Sequence, residues 1–70
     1  MKFVKLTNYA DGRQGDQIVI NIDHIIAVYE DQTPGGGLVT KVYGGPMGIV
    51  WSIEESLKEA VTKIEEAANG

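Results

Sequence analysis

The C-terminal third of the chain constrains it most. Ile53, Leu57, Val61, Ile64 and Ala68 recur at steps of three and four residues, the spacing that aligns side chains along one flank of an α-helix. Ser52 stands three residues before Glu55, as in a capping box. Glu54 and Glu55 fill the first turn, where the helix dipole favours anions, and Asn69-Gly70 suits a helix end. The spacing predicts a helix over residues 53–68, with Glu54–Lys58 and Glu59–Lys63 as i,i+4 ion pairs. A helix of about 16 residues is marginal alone in water, so this apolar stripe needs a surface to cover it.

The rest of the chain offers a sheet. Residues 2–9 alternate in type, with Val4 and Leu6 on one face and Phe3, Lys5, Thr7 and Tyr9 on the other. ADGRQGD, residues 10–16, reads as a hairpin loop with a turn at Asp11-Gly12. Gln17 to Asn21 read as a second strand and residues 25–30 as a third, with Ile26 and Val28 on one face. Alternation fails at Asp23-His24. A single strand through this point would run fourteen residues, beyond the usual range of about 3–10. A corner braced by the Asp23 side chain is expected there, with His24 exposed or half-exposed. DQTPGGG (31–37) reads as a mobile loop, Leu38 to Tyr43 as strand four, GGPMG (44–48) as a turn and Ile49–Trp51 as strand five. The predicted fold class is α+β: one small domain over residues 1–70, an antiparallel curled β-meander of about five short strands, and one C-terminal amphipathic helix packed on the sheet.

Seventy residues bury a small core. Short chains usually supplement it with disulfides, metals or self-association. The chain has no cysteine and one histidine, so disulfides and a zinc site are not expected. That leaves self-association, and a homo-oligomer is predicted. The formal net charge is -4. Residues 1–16 sum to +1, 17–51 to -2 and 52–70 to -3. This balance disfavours nucleic acid and anionic lipid as partners. No signal-peptide apolar core is visible, and no apolar run nears the about 20 residues that span a bilayer. No membrane association is expected, and cytoplasmic location is the default.

Catalytic constellations are sparse. Adjacent Asp23 and His24 orient poorly for an acid-base dyad. The glycine clusters 35–37 and 44–48 match neither GxxxxGKS/T nor a GxGxxG that opens a helix after a strand. Arg13-Gln14-Gly15-Asp16 is not an RGD tripeptide. Ser52 is explained as a cap, and Glu54, Glu55 and Glu59 as helix-surface groups. The expectation is a non-enzymatic protein of unknown function without cofactor, a protein-protein interaction or self-association module. Tyr29, Tyr43 and Trp51 are the candidate interface residues, because aromatic side chains anchor interfaces. For Trp51, core at the sheet-helix junction is the leading reading, ahead of an interface.

Lys5-Leu6-Thr7, the Ile22/Ile25/Val28 segment and Glu55-Ser56-Leu57 through Val61 stand in an order that resembles small flagellar FlbD-type proteins. The resemblance covers most of the chain and implies its architecture, but no catalytic residues. Asp23-His24-Ile25-Ile26-Ala27-Val28 together with Ser56-Leu57-Lys58-Glu59 is similar to a LytTR-type DNA-binding domain. That likeness implies loop residues contacting DNA, and it is the alternative reading.

Overall fold

The computed structural model describes residues 2–10 and 12–70. Along the chain come β1 (Phe3–Thr7), β2 (Gln17–Asn21), a 3-10 turn (Ile22–His24), β3 (Ile25–Gln32), β4 (Leu38–Gly44), β5 (Ile49–Ile53) and α1 (Leu57–Asn69). The fold is α+β, with five antiparallel strands and a C-terminal helix packed on them.

β1 and β2 form a hairpin in which Val4 lies opposite Ile20 and Leu6 opposite Ile18. The period-2 pattern of these strands therefore puts their aliphatic residues on one face. Asn8 N–H donates to the Asp16 carbonyl (2.7 Å) and Gly15 N–H to the Asn8 carbonyl (2.9 Å), closing the loop. The turn expected at Asp11-Gly12 falls partly on Asp11, which lies outside the described residues.

The strands do not continue as one meander. They form two ladders, β1–β2 and β3–β4–β5, which break at Ile22–His24 where the alternation fails. The corner is braced by Asn21, not by Asp23: Asn21 Oδ1 accepts from Asp23 N–H at 3.0 Å. Asp23 and His24 are both exposed. The ladders meet elsewhere. Tyr9 N–H donates to the Ser52 carbonyl (2.9 Å), and Glu54 N–H donates to the Thr7 carbonyl (2.8 Å). Asn8 lies opposite Ile53. Across the molecule the order is thus β2-β1-β5-β4-β3, with β2 and β3 at the outer edges.

Val4, Leu6, Ile20, Val42, Ile53 and Ala60 form the buried core, with Ile18, Ile25, Val28, Trp51 and Ile64 partly buried around it. α1 packs on β1, β3 and the 3-10 turn. It starts one turn later than its spacing predicts. Ser56 is the N-cap, accepting from Glu59 N–H (3.1 Å), while the Glu59 carboxylate accepts from Ser56 N–H (3.1 Å). Ser52 and Ile53 belong to β5, and Ile53 pairs with Thr40. The inward helical flank is accordingly Leu57, Ala60, Ile64 and Ala67. Val61, placed on the stripe by its spacing, is 40% exposed.

Two further expectations are corrected. A β-bulge shifts the β3–β4 register between Ile25 and Ala27, so Ile25 and Val28 turn toward the core while Ile26 is 65% exposed. An inserted residue reverses parity, which alternation alone cannot register. The 31–37 segment is not all loop: β3 runs through Gln32, and Thr33 closes the hairpin end, its N–H donating to the Gly37 carbonyl (2.9 Å) and its Oγ1 accepting from Gly37 N–H (3.1 Å).

Candidate interaction face

The β3–β4–β5 sheet has two faces of different character. Directly paired residues in an antiparallel ladder share a face. Val28, Val42 and Trp51 are paired in series across the three strands, and they lie on the core side. Ala27, Tyr43 and Val50 form the next series, and Tyr29, Lys41 and Ser52 the one after it. Both of these occupy the opposite face, away from the helix.

This geometry separates the three candidate interface residues. Tyr29 and Tyr43 come together on the outward face, Tyr29 being 38% exposed and Tyr43 half-buried. A side chain at Gly48 would meet the Tyr43 phenol. Trp51 is not with them. It is half-buried against the core, beside buried Gly44, and serves as core packing.

The outward face gains a third tyrosine. Tyr9 bonds through its backbone N–H to Ser52 and so extends the series containing Tyr29 and Lys41. With Thr33, Pro34, Val39 and Lys41 it lines a shallow depression of about 230 Å³. Between the tyrosines, Lys41 Nζ pairs with Asp31 (3.2 Å), and this contact, with the Gln32 N–H, holds the Asp31 carboxyl below its ordinary value. Tyr9 continues the alternation just past the end of β1, but its nearness to Ser52 depends on the contact of this segment with β5, which no local pattern encodes.

The molecule also has an acidic cleft of about 380 Å³, lined by Glu30, Glu54, Glu55 and Glu59 among others. Two of these carboxylates are engaged locally. Glu59 caps α1. Glu55, buried, accepts from Thr7 N–H (3.0 and 3.1 Å), from the Thr7 hydroxyl (3.0 Å) and from Lys63 Nζ (3.0 Å). Burial pushes its pKa up, and the Thr7 and Lys63 donors outweigh that, leaving it below its ordinary value. Among the described residues no group of three or more His, Cys, Asp or Glu side chains is placed to hold a metal ion, and no helix is long and apolar enough to cross a membrane.

No family model, no curated protein and no solved structure matches this chain.

Proposed function

We propose that this chain is a small non-enzymatic interaction module that binds another protein through the outward face of β3–β4–β5 and also associates with itself. The observation that carries the reading is the placement of Tyr29 and Tyr43 diagonally across β3 and β4, on the sheet face opposite the core and α1. Tyrosine supplies a broad apolar ring and a hydroxyl at low entropic cost, which is why it anchors interfaces. The Lys41–Asp31 pair beside them gives the patch a polar element that can fix the register of a partner. The likeness to FlbD-type proteins carries over architecture only and assigns no catalytic residue.

The test is quantitative affinity capture from cells of the source organism. The bait is the wild-type chain, compared with Tyr29→Ser and Tyr43→Ser chains of unchanged circular dichroism. A polypeptide retained by wild type and lost from both variants supports the reading. Equal retention by all three baits overturns the assignment to this face. Titration with duplex DNA at two salt concentrations addresses the LytTR-type alternative. Binding that weakens steeply with salt would replace the protein-binding reading with that one.

A further inference from the structure

We infer that β2 pairs edge to edge with β2 of a second copy of this chain, antiparallel about a two-fold axis at Val19. This deepens the self-association half of the proposed function and rests on it.

The two ends of the strand order differ in how they are guarded. An open edge strand invites pairing with another chain, and proteins blunt such edges with charges, prolines or bulges. β3 has both a bulge, at Ile25/Ala27, and two carboxylates, Glu30 and Asp31. β2, Gln-Ile-Val-Ile-Asn, has no charge, no proline and no bulge. Its packing neighbour is β1, while α1 covers β1, β3 and the 3-10 turn instead. Val19 is 53% exposed. An uncharged β-branched edge of this kind is what a pairing strand needs and what a guarded one lacks.

The hydrogen-bond alternation shows which groups are on offer. Asn8 N–H bonds to Asp16 and Ile22 N–H bonds to Lys2, so even-numbered residues make the β1–β2 ladder. The odd-numbered Gln17, Val19 and Asn21 therefore direct their backbone N–H and C=O away from β1. A two-fold at Val19 sets Val19 against its symmetry mate, Gln17 against Asn21, and Ile18 against Ile20. Every odd residue of the strand then has a backbone partner, and the exposed Val19 side chains meet at the axis on the face away from the core. Charge favours this location as well. Two chains of net charge -4 repel each other, and an uncharged strand is the part of the surface where they approach at least cost. The nearest acids, Asp16 and Asp23, lie beyond the strand ends, with Asp16 paired to Arg13 (3.5 Å). The contact is isologous, uses the edge once per copy and closes as a dimer.

Sedimentation velocity across a concentration series tests this. Wild type is expected to dimerise. Val19→Lys puts two ammonium groups at the axis and should weaken the dimer by about tenfold or more, with an unchanged far-ultraviolet spectrum. Val19→Cys gives a direct geometric readout even if the lysine variant unfolds. Hydrogen-bonded antiparallel residues stand at about 5.5 Å between Cα atoms, within disulfide reach. Mild oxidation should therefore yield a covalent dimer much faster than for Ala27→Cys on β3. A wild type that stays monomeric, a folded Val19→Lys chain that still dimerises, or equal crosslinking of the two cysteine variants each overturns the inference. Loss of the dimer in Tyr29→Ser and Tyr43→Ser with retention in Val19→Lys would place self-association on the tyrosine face instead. The inference then fails while the functional reading stands.

Discussion

Glu55 satisfies both polar donors of Thr7, accepting from its backbone N–H and its hydroxyl with a single carboxylate. Thr7 is where β1 and β5 part: its carbonyl still takes the Glu54 N–H, while its own N–H has no strand beyond it to bond. The carboxylate supplies the missing partner, and Lys63 from α1 balances its charge. Three elements, β1, the β5–α1 link and the helix, are thereby joined at one buried group.

Glu55→Ala removes that acceptor and leaves the Thr7 donors unpaired. A buried unsatisfied donor costs about 1–3 kcal/mol, so urea denaturation should show a loss of at least about 2 kcal/mol with an unchanged m-value. Glu55→Gln keeps one acceptor and should lose less.

The same group sets an acid limit. Its carboxyl titrates below the ordinary 4.5 in the folded chain. The contribution to stability is therefore full above the unfolded value and is lost as pH falls through the folded one. A thermal-denaturation series from neutral pH to pH 3 should show wild type losing stability below about 4.5 more steeply than Glu55→Gln. Parallel curves would mean that Glu55 does not carry this dependence.

The two serines separate the alternative helix starts. Ser56→Ala should cost about 1 kcal/mol, the usual value of an N-cap, and lower helicity by circular dichroism. Ser52→Ala should change stability by less than about 0.5 kcal/mol, as expected for a site away from such features, because only the Ser52 carbonyl is used in the β1 contact.

Gly44→Ala probes the corner at His24. A β-carbon at Gly44 would run into the His24 carbonyl and crowd the Trp51 ring, and Gly45 N–H bonds that same carbonyl at 2.7 Å. Overpacking of this kind costs about 1–3 kcal/mol, measurable as a lowered chemical-denaturation midpoint.

Much of this fold is legible locally. The Val4/Leu6 and Ile18/Ile20 alternation fixes β1, β2 and their buried face, and the failed alternation at Asp23-His24 marks the corner. Asn21 was not evident as its brace, because Asn and Asp offer the same Asx chemistry at neighbouring positions. The helix start is the instructive case. Ser-x-x-Glu occurs twice, at 52/55 and 56/59, and Ile53 stands four residues before Leu57, so the local pattern fits either register. Of the candidate face, the outward direction of Tyr29 and Tyr43 follows from parity, whereas the inward position of Trp51 depends on its pairing with Val42.

Composition and periodicity by themselves determined a cysteine-free, acidic α+β chain with five short strands and a final amphipathic helix. Those properties depend on neighbours within a few residues. Tertiary structure alone decided that β5 returns to β1, that Ile53 and Glu55 serve the sheet rather than the helix, and that a bulge turns Ile26 outward. Each of these is a contact between residues distant in sequence, where the partner selects between local conformations of nearly equal free energy.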